Sequence, residues 1–204
     1  MDERGKVRKV RKFRRVRIGI SACLFGERVR WNGDHKRAPW LVDTVGRFVE
    51  WVPVCPEMEI GLGTPRPPVH LERASAKNGG GTRLVEIESR RDLTKKMDKF
   101  AARRVRELAA LDLCGFILKK DSPSCGLERV KVWSGSKSAR TGRGRFAEAL
   151  LAALPDLPVE DEGRMRDPVV CKNFFERVFA RRRLAAADRA RVMAALRKRA
   201  KPSK

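Results

Sequence analysis

Short apolar runs, each bounded by polar or glycine-rich sequence, are the most regular feature of the chain. Four of them have the length and composition of strands and lie at residues 16–22, 50–54, 83–88 and 115–118. The first and the last are apolar almost throughout, which is typical of strands in a parallel sheet covered on both faces. Pro53 removes a backbone donor from the second run, which predicts a short strand or one near a sheet edge.

Segments with apolar residues at helical spacing separate these runs. The clearest predicted helix covers residues 92–111, where the following apolar side chains share one face: Leu93, Met97, Phe100, Ala101, Val105 and Leu108. Further helices are predicted at residues 41–49 and 146–154, and residues 168–199 predict one long helix or two. Residues 56–82 are rich in proline and glycine and predict a long irregular connection. This alternation predicts an α/β fold with a mainly parallel sheet flanked by helices.

Positive charge is concentrated at the two ends of the chain. The 204 residues carry a formal net charge of +23, and basic side chains crowd into an N-terminal arm, residues 1–15, and a helical C-terminal extension, residues 161–204. Residues 16–160 form the predicted α/β domain. Because lysine and arginine release condensed counterions when they neutralise phosphates, these basic arms predict contact with nucleic acid. The alternative is that they serve only solubility.

The apolar and cysteine content sets the expected compartment. No apolar stretch is long enough to cross a membrane, and no apolar segment follows the basic N-terminal residues as it would in a signal peptide. The five cysteines are an odd number and follow no disulfide framework. A cytoplasmic protein without membrane contact is therefore expected, with thiols that bind metal, act in catalysis or are buried. The sequence leaves the oligomeric state open.

Three cysteines share one position relative to the predicted strands. Cys23, Cys55 and Cys125 each follow the carboxyl end of a strand, and the carboxyl ends of parallel strands meet at one edge of a sheet, where ligand sites form. Three thiolates at one place bind an iron–sulfur cluster or zinc and leave one metal position open. The alternative is that they are inert core residues. Cys114 and Cys171 lack this context and are predicted to be structural.

Polar side chains near these cysteines are candidates for catalysis and substrate contact. The catalytic candidates are Glu57, Glu59, Ser122 and Ser124. A carboxylate at such a position activates water, and a hydroxyl stabilises the anion formed by its attack. Alternatively, the glutamates pair at the surface with Arg66 or Arg73, and the serines shape turns with Pro123. The candidates for substrate binding are Ser21, His35 and Lys36.

Longer stretches of the sequence carry a family resemblance: ISACLFGERVRWNGDHKR, VPVCPEMEIGLGTPR, LDLCGFILKKDSPSCGLERVKV and GRGRFAEALL. Over about residues 16–183 the chain resembles the bacterial domain of unknown function 523 family, whose characterised members are thiouracil desulfidases. The resemblance implies that Cys23, Cys55 and Cys125 ligate a [4Fe–4S] cluster with one open iron. It also implies that one of the two glutamates is the catalytic carboxylate and one of the two serines the assisting hydroxyl.

The expected function is a cluster-dependent desulfidase for thiouracil-type or thiouridine-type bases. The resemblance implies that water replaces the sulfur without net redox change and that sulfide is released. The expected partners are a thiolated nucleobase or nucleoside and, through the basic arms, transfer RNA. The alternative is a non-catalytic RNA-binding protein whose cysteines are structural or bind zinc.

Overall fold

The described part of the chain is built on two four-stranded sheets. A computed structural model describes residues 16–46, 48–75, 80–182 and 186–199. The strands of the first sheet are β1 (Val16–Ser21), β2 (Val49–Val54), β5 (Gly115–Leu118) and β8 (Val159–Asp161). They are all parallel and follow the order β2-β1-β5-β8. β2 therefore lies at an edge, as Pro53 predicts.

The second sheet mixes parallel and antiparallel pairs. Its strands are β3 (Val69–Arg73), β4 (Thr82–Glu86), β6 (Val130–Ser134) and β7 (Lys137–Gly142), in the order β4-β3-β6-β7. β3 is antiparallel to β4 and parallel to β6, and β6 is antiparallel to β7. The prediction that residues 56–82 are irregular throughout is wrong, because they contain β3 and a short helix. The hairpin of β6 and β7 was not predicted either, since the side chains of β7 are mostly exposed and polar.

Helices cap the strand ends and cover the first sheet. They are α1 (Ala22–Phe25), α2 (Pro39–Val45), α3 (Pro56–Glu59), α4 (Thr94–Ala110), α5 (Arg145–Ala153), α6 (Pro168–Arg181) and α7 (Ala186–Arg199), with a short 3₁₀ turn at Arg164–Arg166. The helices predicted at 92–111 and 146–154 are confirmed, and residues 168–199 form two helices. The helix predicted at 41–49 ends at Val45, because β2 begins at Val49. No helix in the described ranges is long and apolar enough to cross a membrane.

Apolar side chains pack on both faces of the first sheet. On one face, Phe116 of β5 packs against Phe146 of α5, which also contacts Phe100 of α4. On the other face, Ile18 of β1 lies in a cluster with Phe175 of α6. Since apolar layers of helix cover both faces of a parallel sheet, the α/β class predicted from the sequence is confirmed.

The carboxyl ends of β1, β2 and β5 lie side by side at one edge of the first sheet. Ser21 pairs with Val54, and Ile20 pairs with Ile117. At this edge the chain passes from β1 into α1, from β2 into α3, and from β5 into the loop at residues 119–126. Three segments that are far apart in sequence therefore start from the same place.

Gly19 provides a test of how tightly β1 and β5 pack. A Cβ atom at Gly19 would lie 2.2 Å from Cδ2 of Phe116, whose ring is fully buried. Gly19→Ala should lower the free energy of unfolding by about 1–3 kcal/mol, the usual cost of overpacking a core. Urea denaturation measures the difference. Phe116→Leu should offset part of this loss in the double variant, and strictly additive losses would contradict the contact.

Candidate functional site

Cys23, Cys55 and Cys125 line one cavity, as their positions after strand ends predict. Cys23 lies in α1, Cys55 directly precedes α3, and Cys125 lies in the loop after β5. The cavity has a volume of about 600 Å³. Cys114 and Cys171 are instead buried in the core layer on the α6 side, which confirms that these two are structural.

Burial raises the pKa of all three cavity thiols, and nearby negative charges add to the rise. Burial raises the pKa of Cys23 to about 12, and the neighbouring Cys55 adds to the rise. Burial likewise raises the pKa of Cys55 to about 11. The pKa of Cys125 is raised well above its usual value, first by burial and then by the charges of Cys55, Glu57 and Cys23. The folded chain therefore keeps these thiols protonated unless a bound cation stabilises the thiolates.

The set of donor atoms fits an iron–sulfur cluster. Thiolates are the ligands of such clusters, and in a cubane each cysteine binds a different iron atom. Within the described ranges, no three side chains of His, Cys, Asp or Glu are placed to hold one metal ion. The three thiols share one cavity, and their sulfur atoms are the kind of ligand that a cluster takes, one for each of three iron atoms.

Of the two candidate glutamates, Glu57 is the one that lines the cavity. Its Oε1 accepts a hydrogen bond of 2.8 Å from Ser124 Oγ, and its Oε2 pairs with the guanidinium of Arg66. Arg66 is 7% exposed and also donates to the carbonyl oxygens of Gly63 at 2.6 Å and Val29 at 2.9 Å. The alternative placed an ion pair of Glu57 with Arg66 at the surface, but the pair is largely buried; it holds one oxygen of the carboxylate, and Ser124 holds the other.

Glu59 faces a different part of the molecule. Its Oε1 accepts a hydrogen bond of 3.1 Å from the backbone N–H of Cys55, and its Oε2 forms an ion pair of 3.0 Å with Arg104 of α4. Burial raises the pKa of Glu59, although its partner Arg104 opposes the shift. Glu59 is absent from the residues that line the cavity. The structure thus separates two glutamates that the sequence left equivalent.

The two candidate serines also differ. Ser124 is fully buried and donates to Glu57, so that it positions the carboxylate. Ser122 lines the cavity, and its Oγ accepts hydrogen bonds from the backbone N–H groups of Ser124 at 3.2 Å and Cys125 at 3.0 Å. Ser122 therefore shapes the turn that presents Cys125, as the alternative interpretation of the sequence has it.

Two of the three candidates for substrate contact line the cavity. Ser21 does so, accepts a hydrogen bond of 2.9 Å from the backbone N–H of Lys119, and lowers the pKa of Cys125 against the larger effect of burial. Lys36 also lines the cavity and has an exposed side chain. His35 does not line it, and its Nδ1 accepts a hydrogen bond of 3.2 Å from the backbone N–H of Arg37.

Sequence reasoning missed Lys119 and Glu162 as parts of the site. Both line the cavity, and Lys119 Nζ pairs with Glu162 Oε1. The positive charge of Lys119 lowers the pKa of Cys23, against the larger effect of burial. Lys119 directly follows β5 and Glu162 directly follows β8. The rule that identified the cysteines, a position after a strand end, would have identified Lys119, whereas Glu162 follows a strand that was not predicted from the sequence.

The N-terminus of α5 holds the loop that carries Cys125. The carbonyl oxygen of Ser124 accepts hydrogen bonds from the N–H groups of Phe146 at 3.0 Å and Ala147 at 3.3 Å, and the N–H of Gly144 donates to Gly126 at 2.8 Å. A Cβ atom at Gly144 would lie 2.5 Å from the carbonyl carbon and oxygen of Ser124. Glycine at this position is what allows the two segments to approach so closely.

Comparison with known proteins identifies the family of the chain. A family model described as 2-thiouracil desulfurase matches residues 18–162. The chain belongs to the 2-thiouracil desulfurase family. The uncharacterized protein YbbK of Bacillus subtilis (strain 168) is 30% identical over 151 residues, which are 74% of this chain and 98% of YbbK. The solved structure of the [4Fe-4S]-dependent thiouracil desulfidase TudS is 30% identical, with a TM-score of 0.60, and the match covers 79% of this chain and 99% of that chain.

The region shared with the 2-thiouracil desulfurase family includes the centre of the site. The three cavity cysteines, Glu57 and the α5 segment all lie between residues 18 and 162. α6 follows that region, and its buried Phe174 and Phe175 complete one core layer of the first sheet.

Gly144→Ala should loosen the loop of Cys125 without straining the chain elsewhere. Gly144 has φ −65° and ψ 139°, which alanine adopts freely, so the variant reports only the clash with Ser124. In metal-free protein, iodoacetamide should alkylate Cys125 several-fold faster in the variant, because the loop opens more often. Mass spectrometry of the alkylated peptides measures the rate.

Two internal comparisons make this test specific. Cys171 is buried to the same degree as Cys125, at 7% against 6% exposure, and its alkylation should not change. Gly135→Asn, in the open turn between β6 and β7 at φ +60°, should change neither rate. An unchanged rate at Cys125 in Gly144→Ala would show that α5 does not hold the loop.

Proposed function

We propose that the chain binds a [4Fe–4S] cluster through Cys23, Cys55 and Cys125 and removes sulfur from thiouracil-type bases. The observation that carries this proposal is the single cavity lined by these thiols and by the ion-paired carboxylate of Glu57. The similarity to a solved structure named as a [4Fe-4S]-dependent thiouracil desulfidase supports the cofactor and the substrate class. Membership of the 2-thiouracil desulfurase family supports the same substrate class.

The remaining cavity walls suit a planar base with a polar edge. When bound, the cluster supplies a soft Lewis acid with one iron free of protein ligands, which suits the sulfur of a thiocarbonyl group. Trp31 and Trp40 line the cavity and offer aromatic faces on which a base stacks. Lys36 and Ser21 offer hydrogen-bond donors to the carbonyl oxygen of the base. His35 lies off the cavity wall and is left out of this assignment.

Glu57 is the proposed general base. Its carboxylate takes a proton from water as the water oxygen bonds to the sulfur-bearing carbon of the base. The carbon–sulfur bond then breaks, and sulfur leaves as sulfide with the protons of the water, so that a carbonyl replaces the thiocarbonyl. Since the carbon keeps its oxidation state, this hydrolysis needs no electron donor. Ser124 and Arg66 hold the carboxylate in place for the proton transfer.

We extend the proposal to thiouridine within transfer RNA. The net charge of +23 supports contact with a polyanion. The N-terminal basic arm lies outside the described residues, and the C-terminal extension is described only as far as residue 199. The free state of all five cysteines supports a reducing compartment such as the cytoplasm.

Cys125→Ala should abolish cluster binding and sulfide release together. The wild-type protein, reconstituted anaerobically, should contain iron and acid-labile sulfide, absorb visible light and release sulfide from 4-thiouracil. Cys171→Ala is the matched control and should retain all of these properties, because Cys171 lies in the core away from the cavity. Sulfide release by Cys125→Ala at the wild-type rate would contradict the cluster mechanism. Bound zinc without iron would support the non-catalytic RNA-binding alternative.

Glu57→Gln should lower kcat for sulfide release by about 10²–10⁴-fold, the usual contribution of general base catalysis. Its iron content should stay at the wild-type level, because Glu57 is not a cluster ligand in this proposal. Glu59→Gln should retain most of the activity, since that carboxylate pairs with Arg104 away from the cavity. Steady-state kinetics with 4-thiouracil compare the two variants, and equal losses would contradict the assignment.

A further inference from the structure

A second groove begins where the catalytic cavity ends. It has a volume of about 290 Å³ and is lined by residues of β3, β6 and β7 and of the loop after β5. Val69, Asp121 and Pro123 line both this groove and the catalytic cavity. A polymeric substrate with one unit in the cavity could therefore extend its next unit into the groove.

The alternation of side chains along β6 determines which of them can face the groove. Val130 and Val132 of β6 are buried in the core, so Lys131 and Trp133 point to the opposite face. Lys131 pairs directly with Arg140 of β7 in the register of the hairpin. We call the set of His70, Lys131, Trp133 and Arg140, all of which line the groove, the stacking face.

The stacking face has an unbalanced positive charge. Like charges that are directly opposite across two strands are destabilising, and Lys131 and Arg140 occupy such positions. An ion pair of 2.6 Å with Asp121 compensates the positive charge of Arg140. Lys131 is exposed and has no acidic partner among the described residues. A phosphate at Lys131 would supply the negative partner that this side chain lacks.

An aromatic pair lies beside this charge. The rings of His70 and Trp133 have their centroids 6.0 Å apart and are tilted by 33°. Trp133 is half-buried, so the fold already orders its ring. Stacking a base on that ring therefore costs little further side-chain entropy. A positively charged groove with a fixed aromatic ring is the combination that binds single-stranded nucleic acid, because each base stacks and each phosphate is neutralised.

We propose that the stacking face binds the nucleotide next to the thiolated one in a single-stranded RNA substrate. Its base stacks on Trp133, its phosphate contacts Lys131, and the thiolated base occupies the catalytic cavity. The proposal rests on the proposed function for the identity of the reaction. It differs from binding by the basic arms, since it assigns the contact to described residues that adjoin the site. An acidic protein partner would neutralise the positive charge of Lys131, but it would make no use of the aromatic rings of His70 and Trp133.

The first experiment measures binding without chemistry. Fluorescence anisotropy follows a labelled, sulfur-free octauridine RNA on the reconstituted protein at several salt concentrations. Trp133→Ala should weaken affinity by at least about fivefold, the lower bound for one stacked base, whereas Trp133→Phe should keep most of it. Lys131→Ala should reduce the slope of log affinity against log salt by about 0.7, as expected for one phosphate contact on a single strand. Lys99→Ala, an exposed lysine of α4, should change neither quantity.

The second experiment separates docking from the reaction. Trp133→Ala and Lys131→Ala should release sulfide from free 4-thiouracil at the wild-type rate, which also shows that they are folded. Both should lose at least about fivefold in kcat/KM on a short RNA that contains 4-thiouridine. Equal effects on the free base and the RNA, or no effect on either, would overturn the proposal. Polyglutamate that displaced the RNA equally well from the wild type and from both Trp133 variants would also overturn the proposal.

The two proposals fail in different ways. If wild-type protein released no sulfide from 4-thiouracil, the proposed function would be wrong, and the octauridine measurement would still decide whether RNA binds the stacking face. If sulfide were released but the variants at Trp133 and Lys131 bound RNA as the wild type does, only the assignment of the stacking face would fall.

Discussion

The parallel register of β1, β2 and β5 is the constraint on which the site depends. It brings three thiols from remote parts of the chain to one edge of one sheet. The same burial that forms the cavity makes each thiolate costly, and neighbouring thiolates repel one another. A positively charged group such as an iron–sulfur cluster, held by the three sulfurs at different atoms, would relieve both effects at once. The fold therefore prepares this cavity for a positively charged, thiolate-binding group.

A second layer of contacts joins the loop that carries Cys125 to the carboxylate of Glu57. Ser124 directly precedes Cys125; its carbonyl accepts from the N-terminus of α5, while its hydroxyl donates to Glu57. Arg66 holds the other oxygen of Glu57 and ties it to the backbone of residues 29 and 63. Thiol and carboxylate are thus positioned by one connected network, so that a disturbance at Gly144 would reach both.

The second sheet shows how far local patterns can mislead. β4 was predicted from its apolar run, but β3 was hidden in a stretch rich in proline and glycine, and β6 and β7 form a hairpin whose second strand is exposed along almost its whole length. Such strands lack the apolar run by which strands of the first sheet were recognised. Their formation depends on pairing with neighbours, which is a tertiary property. The same pairing sets Lys131 opposite Arg140 and places the groove beside the cavity.

The sequence by itself determined the α/β class, the helices α4 to α6 and the three cysteines that meet. These follow from apolar periodicity and from position after a strand end, which are local properties. Only the tertiary structure showed that Glu57 lines the cavity and Glu59 does not, and that Ser124 rather than Ser122 donates to Glu57. Residues this close in sequence differ mainly in where their side chains point, and contacts with residues far along the chain fix that direction. The hydrogen bond from Ser124 to Glu57, for example, joins residues 67 positions apart.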